Sequence, residues 1–305
     1  MELRQLNTFR TLARTLSFTR TAAALNYVQS NVTAQIQALE EELGVQLFDR
    51  LGRHVILTDA GRCLLGYAEK ILSLEEEART TLSAETEPAG SLTFSAPETL
   101  CTYRLPAVLQ QFRARFPRVK LTFRPLSDSA MRRSVSEGIV DVTFVLEESL
   151  QAGGLVVEPL RREPLLVLAY PEHPLTQLSQ VRPADLEGES VLLTELGCSY
   201  RNVFRRVLAA AGVHPNENME MHSVEAIKQW VMAGMGITVL PEVAVTHEIA
   251  QGQLVALPWN EPDFAVTTHM LWHKEKWQSP ALSAFLSTAR EILGATEPVL
   301  GGIRC

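Results

Sequence analysis

Hydrophobic positions recur at helical spacing in four stretches of the first ninety residues. The stretches cover residues 3–16, 18–25, 30–43 and 58–86, with apolar side chains at steps of three and four. The pattern predicts three short helices followed by one long helix. In the third helix the predicted buried positions are Val32, Ile36, Leu39 and Leu43.

The polar face of the third predicted helix has unusual chemistry. It carries Ser30, Thr33, Ala34 and Gln37. These side chains are short and uncharged, whereas a helix that is only solvated generally shows lysine and glutamate. A helix that enters a DNA groove needs side chains that hydrogen-bond to base edges. The pattern therefore predicts a recognition helix.

The elements around this helix have the spacing of a winged helix-turn-helix. A short turn at residues 26–29 separates the second helix from the recognition helix. Residues 45–48 and 54–57 are predicted to pair as a hairpin. Its tip carries Arg50 and Arg53, which suits insertion into a minor groove.

The long fourth helix has an apolar repeat of its own. The repeat extends over roughly three heptads, which is typical of a helix that pairs with a second chain. Pro88 and Gly90 then break the helix and predict a domain boundary. The residues of the predicted dimer seam are Leu64, Tyr67, Ile71, Leu74 and Ala78.

Strand-like and helix-like segments alternate from residue 91 onward. This alternation predicts a parallel sheet flanked by helices. The pattern runs to about residue 146 and restarts at residue 165, so we expect two similar α/β halves joined by two crossovers. Such halves hold a ligand between them, at the carboxyl ends of the strands.

Composition narrows the class of protein. Apolar residues make up 46% of the 305 residues, which allows sizeable cores. No apolar run reaches the roughly 20 residues that span a bilayer, and the first residues lack a signal-peptide core. We therefore expect a soluble, cytoplasmic protein. The four cysteines are far apart and form no CxxC pair, so we expect no disulfide framework, metal site or cofactor.

The net charge of −7 is unevenly distributed. Residues 1–58 contain six arginines and five acidic residues, whereas residues 59–87 contain three basic and seven acidic residues. The N-terminal segment is therefore the only part of the chain that is not acidic. Phosphate binding depends on where the charges lie, so the total does not exclude DNA.

A long motif identifies a family resemblance. From Ala22 to Arg50 the chain has the pattern A-x-x-L-x-x-x-Q-x-x-V-T-x-x-I-x-x-L-E-x-x-L-G-x-x-L-F-x-R. The second part has F-x-x-x-F-P at 112–117, E-G-x-x-D at 137–141 and V-x-x-G-x-G-I-x-x-L-P at 231–241. Over essentially its whole length the chain resembles the LysR-type transcriptional regulators.

The resemblance implies an α/β protein with a helical winged helix-turn-helix domain in front. It implies a regulator rather than an enzyme, which binds inverted-repeat operators in double-stranded DNA as a dimer or tetramer. It also implies RNA polymerase and a small effector as partners. The implied domains are 1–58 (motif about 18–37), the linker helix 59–87, and a periplasmic-binding-protein-like effector domain 88–305. Its subdomain I is about 90–161 and 267–301, and its subdomain II is about 162–266.

By matching position, the resemblance implies DNA contacts on three elements. Ser17, Thr19 and Arg20 would meet phosphates, the recognition helix would enter the major groove, and the wing arginines the minor groove. The predicted set is Ser17, Thr19, Arg20, Gln29, Ser30, Asn31, Thr33, Ala34, Gln37, Arg50 and Arg53. Many members have arginine where Ala34 stands and proline where Ser30 stands. Losing that arginine removes a bidentate contact to guanine worth roughly 1–3 kcal/mol.

Polar residues at the predicted strand ends are candidates for the effector site. Hydroxyls and helix N-termini there suit an anion, with Arg201 as countercharge. The predicted set is Thr99, Cys101, Ser127, Ser129, Cys198, Ser199, Tyr200, Arg201, His222 and Ser223. Helix capping alone would also explain the serines. Glu98 lies within this set, and it weakens the anion argument or implies an effector with an amine.

Two alternative functions remain open from the sequence. Peroxide-sensing members keep a reactive cysteine near the position of Cys198, and a helix N-terminus lowers a thiol pKa. Cys198 would then be a redox switch, although no second cysteine lies nearby in sequence. A bilobal solute-binding protein or enzyme is a more remote alternative, since no signal peptide or convergent catalytic set is present.

Overall fold

A computed structural model describes residues 1–51, 54–82 and 87–294. The chain divides into two compact units, Met1–Gly90 and Ser91–Cys305, which are described separately. Some sequence predictions fall outside the described residues. These are Arg53, the side chains of Arg50 and Ser129, residues 83–86 of the linker, and residues 295–301 of subdomain I.

The N-terminal unit consists of helices and one hairpin. Its elements are α1 (Leu3–Thr15), α2 (Phe18–Leu25), α3 (Gln29–Leu43), β1 (Phe48–Leu51), β2 (His54–Leu57) and α4 (Asp59–Leu82). The Ser17 hydroxyl accepts a hydrogen bond from the Arg20 N–H and so caps α2. Gly44, at φ 69°, ends α3 in the left-handed conformation that glycine adopts without strain. The helix-turn-helix predicted from the sequence is present.

The core of this unit lies between α1, α3, the hairpin and α4. Val32, Ile36 and Leu39 are fully buried, as their spacing predicts. Leu43 was predicted to share that buried face, but it is exposed in the last turn of α3. The hairpin also begins later than predicted. Strand β1 starts only at Phe48, because residues 45–47 are needed to lead the chain from Gly44 into the core.

The predicted dimer seam on α4 divides into two faces. Leu64 and Ile71 pack against the hydrophobic core of the N-terminal unit, beside the buried Ala68 and Leu72. Tyr67, Leu74 and Ala78 are exposed. Leu64 and Ile71 therefore contact the core of their own unit as well, and the pairing of these five residues with a second chain stays a prediction. The apolar repeat of α4 thus contributes some residues to the core of the unit and others to an exposed face.

The C-terminal unit is an α/β structure with two lobes. Its elements are β3 (Gly90–Ser95), α5 (Glu98–Tyr103), α6 (Leu105–Arg115), β4 (Val119–Phe123), α7 (Asp128–Ser136), β5 (Val142–Glu147), β6 (Leu155–Ala169), β7 (Ser190–Thr194), α8 (Ser199–Ala210), β8 (Asn216–Met221), α9 (Val224–Met232), β9 (Ile237–Pro241), α10 (Thr246–Ala250), β10 (Val255–Ala256), β11 (Ala265–His273) and α11 (Pro280–Leu293). The sequence pattern predicts most of these elements, but not the first part of β6 before Leu165, β8, α10, β10 or the separate short helix α5.

Two long strands connect the lobes. Among the described residues the strand order is β4-β3-β5-β11-β6-β9-β7-β8, with β10 beside β6. Strand β6 pairs with β11 up to Pro164 and with β9 from Leu165 onward, so one strand belongs to both lobes. Pairing is parallel between β3 and β5 and among β7, β8 and β9. The predicted parallel sheet is therefore correct within each lobe. It is wrong for β6 and β11, which run antiparallel because they are the crossovers.

Each lobe buries its sheet under helices. Lobe I contains β3, β4, β5 and the β11-paired part of β6, and lobe II contains β7, β8, β9 and the β9-paired part of β6. A cluster of phenylalanines fills lobe I, where the Phe285 ring lies 5.1 Å from Phe112 and 5.8 Å from Phe94 between ring centroids. In lobe II, Phe204 of α8 is fully buried against the sheet. In the part of the chain that the structure describes, no helix is long and apolar enough to cross a membrane.

Candidate functional site

The polar face of α3 is accessible in the N-terminal unit. Gln29, Ser30, Ala34 and Gln37 are exposed, and Thr33 is half-buried. The Thr33 hydroxyl donates a hydrogen bond to the Gln29 carbonyl one turn back, at 3.1 Å. These residues form a surface of small and amide side chains with no charge of its own. Such a surface can approach base edges closely and hydrogen-bond to them.

Residues of α2 hold part of this surface in position. The Thr19 hydroxyl donates to the Gln29 side-chain Oε1 at 3.0 Å, so the two predicted DNA contacts touch each other. The Arg20 guanidinium donates to the Thr15 carbonyl and folds back on α1. Ser17 serves as the cap of α2. A capping role and a phosphate contact are compatible for Ser17, because its hydroxyl can accept from the backbone and still donate outward.

A buried polar network anchors the recognition helix to α1. Gln35 is buried in α3, and its Oε1 accepts a hydrogen bond from the Thr8 hydroxyl at 2.8 Å. Its Nε2 donates to Asn31 Oδ1, also at 2.8 Å. Asn31 is half-buried and tied to this internal network, unlike its exposed neighbour Ser30. Asn31 is among the predicted DNA contacts, whereas the roles of Gln35 and Thr8 are not predicted, because polar residues of their type are generally at the surface.

Glu40 connects α3 to the wing. Its Oε1 accepts hydrogen bonds from the backbone N–H groups of Leu47 at 2.7 Å and Phe48 at 3.2 Å. The side chain is buried, unlike that of Glu41 beside it. A carboxylate that accepts two backbone N–H groups fixes where the hairpin starts. Glu40 thus has a structural role that its charge alone does not reveal.

The C-terminal unit contains a cleft of about 640 Å³ between its lobes. The cleft lies where strands β3, β5, β7 and β8 end, as expected for a ligand site in an α/β sheet. Its size falls in the range of small-molecule pockets, which is roughly 300–1,000 Å³. Seven of the predicted effector residues line it: Thr99, Cys101, Ser127, Cys198, Ser199, Tyr200 and His222.

Two predicted effector residues lie elsewhere. Arg201 is buried, and its guanidinium donates to the Thr194 carbonyl and to Glu220 Oε2 at 2.8 Å. It does not line the cleft, so its predicted role as a countercharge there is wrong. The Ser223 hydroxyl accepts from the Ala226 N–H and caps α9. For Ser223 the simpler capping interpretation fits, because the side chain serves the helix and does not face the cleft.

The thiols in the cleft are poorly suited to fast redox chemistry. Cys198 is buried at the start of α8, and burial raises the pKa of its thiol to about 11. Burial and the neighbouring Glu98 also raise the pKa of Cys101 to about 11. The thiolate is the reactive form, so both groups are mostly unreactive at neutral pH. Desolvation therefore outweighs the helix N-terminus, and the redox alternative for Cys198 gains no support.

Carboxylates line the cleft more densely than sequence analysis predicted. Glu147, Glu195 and Glu220 join Glu98 in its walls. Glu147 is the last residue of β5, Glu195 directly follows β7, and Glu220 is the last residue but one of β8, so a search of strand ends for acids would have found them. Burial raises the pKa of Glu98, and repulsion from Glu225 and Glu195 adds to the shift. The described residues contain no group of three or more histidines, cysteines or acids that could hold a metal ion.

The fold and both sites define a two-part regulator, with a DNA-reading unit and a ligand-binding unit. The chain belongs to the LysR family of DNA-binding transcriptional regulators. The family of bacterial regulatory helix-turn-helix proteins of the lysR type matches residues 3–62, and the LysR substrate binding domain matches residues 85–294.

Curated relatives match along nearly the whole chain. The uncharacterized HTH-type transcriptional regulator YwqM of Bacillus subtilis is 44% identical over 292 residues, which cover 95% of this chain and 99% of that protein. The HTH-type transcriptional regulator GltR of the same organism is 32% identical over 291 residues, covering 95% and 97%. The assignment therefore applies to the full length of the chain.

Solved structures agree in fold. A full-length OxyR variant from Pseudomonas aeruginosa has a TM-score of 0.73 at 25% identity and covers 97% of this chain and 96% of its own. Full-length CbnR complexed with its target DNA has a TM-score of 0.71 at 23% identity, covering 95% and 99%. At that identity the likeness to CbnR concerns the fold alone. The predicted fold class and family are confirmed.

Proposed function

We propose that this regulator reads an inverted-repeat operator as a dimer or tetramer, with α3 in the major groove and the wing in the minor groove. The observation that carries the proposal is the exposed, uncharged face formed by Gln29, Ser30, Ala34 and Gln37. Ser17, Thr19 and Arg20 flank that face on α2 and contact phosphates. The wing arginines, Arg50 and Arg53, contribute minor-groove contacts.

The test of DNA reading substitutes one amide on that face. A preferred site is first selected from random double-stranded DNA with the wild-type chain. Gln29→Ala is expected to lose discrimination at one base position by about 1–3 kcal/mol, because a side-chain contact to a base edge is removed. Fluorescence anisotropy with single-base variants of the site measures this change.

The matched control for Gln29→Ala is Gln46→Ala. Gln46 is also an exposed amide, but it lies between α3 and the wing and not on the reading face. We expect its affinity and base preference to stay at the wild-type level. A Gln29→Ala protein that selects the same sequences with the same affinity would contradict the assignment of Gln29 to base reading.

We further propose that a small effector binds in the cleft between the lobes and changes the assembly on DNA. Support comes from the position of the cleft at the strand ends and from its volume. The effector must bind two assembly states with different affinity. In this proposal the protein acts on cytoplasmic DNA and with RNA polymerase, and it catalyses no reaction.

Blocking the cleft tests the effector proposal. Ser127 is exposed at the rim of the cleft, so Ser127→Trp fills space without entering the core. In a thermal-shift screen of small metabolites on the full chain, ligands that stabilise the wild type should lose their effect on Ser127→Trp. Ser179→Trp, at another exposed serine, should keep the response. An undiminished shift in Ser127→Trp would place the ligand outside this cleft.

A further inference from the structure

The carboxylates of the cleft outnumber its positive charges. Glu147 lies 3.8 Å from Arg132 (Oε1 to Nη1), and Glu220 accepts from the buried Arg201. Each of these two acids therefore has an arginine beside it. Glu98 of lobe I and Glu195 of lobe II are the other two carboxylates in the lining. The exposed imidazole of His222 lies beside Glu195, with 3.9 Å between Nδ1 and Oε2.

Lys228 acts electrostatically on Glu98, but its ammonium pairs with other carboxylates. Its ammonium lies 2.7 Å from Glu248 and 2.8 Å from Glu225, and it donates to the Ala244 carbonyl at 3.0 Å. The residue is 2% exposed, and it is not part of the cleft lining. Its positive charge favours the ionised form of Glu98, but it does not balance the negative charges of the carboxylates that line the cleft.

Glu98 is held in place with its charge directed between the lobes. Its Oε2 accepts a hydrogen bond from the Val224 N–H of lobe II at 3.1 Å. Glu98 is exposed, but desolvation at the cleft wall and repulsion from Glu225 and Glu195 raise the pKa of its carboxyl, so its ionised form is disfavoured. Two like charges that face one cavity from opposite lobes favour a ligand that places a positive group between them.

We propose that the effector is a small organic molecule with a protonated amine, which binds between Glu98 and Glu195. This inference rests on the proposed effector role of the cleft and names the chemistry of its ligand. A metal ion fits less well, because no group of three ligating side chains converges within the described residues. An organic ligand also suits the apolar part of the lining, which includes Phe123, Leu126, Met131, Leu146 and Leu196.

An amine is opposite in charge to the anion that the hydroxyls, helix N-termini and Arg201 predict, and it agrees with the amine that Glu98 implies. Arg201 lies outside the cleft. Arg132 and the N-terminus of α8 remain able to meet a carboxylate on the same ligand. An amino acid or a plain amine therefore fits, whereas a ligand with carboxylates alone would meet Glu98 and Glu195 unfavourably.

The test compares matched ligands on the full chain. Butylamine, putrescine and lysine serve as amines. The analogues without a protonated amine are the fully acetylated compounds N-acetylbutylamine, N,N′-diacetylputrescine and Nα,Nε-diacetyl-lysine, and succinate and glutarate serve as acids. Binding is measured by thermal shift and isothermal titration calorimetry. We expect at least one amine to bind, and its acetylated analogue to bind at least tenfold more weakly. Glu98→Gln and Glu195→Gln should each weaken amine binding at least tenfold, with Glu172→Gln, an exposed acid outside the cleft, as control.

Folding of the variants can be checked independently. The pKa of Glu98 is raised in the folded chain, so its ionisation costs stability as the pH rises through that range. Glu98→Gln, which can still accept from Val224, should therefore raise the melting temperature of the ligand-free chain at neutral pH. A stable variant that has lost the amine response supports the inference.

Three results would overturn it. They are binding of the acids in preference to the amines, amine binding that Glu98→Gln and Glu195→Gln leave unchanged, and no response of the wild type to any of the amines. None of these results would remove the effector role itself, which the cleft-blocking Ser127→Trp variant tests separately.

Discussion

Gly61 stands where the start of α4 passes closest to the wing. A Cβ atom at this position would overlap the carbonyl oxygen of Leu47 and lie 2.8 Å from Leu57 Cδ2. The carbonyl belongs to the backbone, so the neighbour cannot turn aside as a flexible side chain would. At the scale of single residues, the glycine allows the long helix to pack onto the hairpin that it follows.

Gly61→Ala should destabilise the N-terminal unit by about 1–3 kcal/mol, because overpacking forces a backbone shift. Gly66→Ala on the same helix is the control, since nothing lies within 4 Å of its added Cβ. Alanine there should stabilise the helix by roughly 0.5–1 kcal/mol. Urea unfolding followed by circular dichroism compares the two variants, and equal effects would show that the close contact does not matter.

The sequence predicts which residues of a regular helix are buried, but it does not predict which polar residues become buried through tertiary contacts. The buried positions of α3 could be predicted from spacing, because a helix repeats its faces regularly. The roles of Gln35, Glu40 and Arg201 could not be predicted. Each is a polar residue that is buried because it hydrogen-bonds to groups distant in sequence. The thiol of Cys198 behaves in the same way, because burial decides its pKa and sequence does not report burial.

At the scale of elements, the link between α3 and the wing depends on Glu40. The carboxylate receives the N–H groups of Leu47 and Phe48, which begin the hairpin. Both parts of the DNA-reading surface therefore share one anchor. The helix and the hairpin are both predicted from the sequence, but the first strand is predicted to start at residue 45 and starts at Phe48. The alternation of apolar and polar residues does not reveal where the hydrogen bonds between the two strands begin.

Glu40→Ala should lower the free energy of unfolding by about 1.5–3 kcal/mol, because it removes hydrogen bonds to a charged acceptor and leaves two backbone donors without it. DNA affinity should also fall, since the wing is no longer fixed to α3. Glu41→Ala, an exposed acid in the same turn, is the control and should change stability little. Chemical denaturation and anisotropy on the selected DNA site give both quantities. Similar stability of the two variants would remove Glu40 as the anchor.

At the scale of the whole molecule, the exposed apolar face of α4 bears on self-association. Tyr67 and Leu74 are each 60% exposed and stand one heptad apart, and Ala78 lies on the next turn. Large apolar side chains at that spacing are typical of a helix that pairs with another. The partner of Leu64 and Ile71, by contrast, is already the core of the same chain.

Leu74→Glu should shift the full chain towards monomer, because it places a charge in the proposed helix pair. Light scattering coupled to size-exclusion chromatography measures the molar mass at several concentrations. The control is Leu178→Glu at an exposed leucine of the C-terminal unit, which should leave the mass unchanged. If Leu74→Glu assembles like the wild type, the exposed face of α4 is not the dimer contact.

The course of the chain through the two lobes has a consequence for synthesis on the ribosome. In the sheet, β11 lies between β5 and β6, yet it is made only after all of lobe II. During synthesis the edge of β5 in lobe I therefore stays unpaired until β11 is made, more than a hundred residues later. Lobe II can complete its own strands sooner. A pause or truncation before residue 265 would leave an open strand edge, which is a template for aggregation.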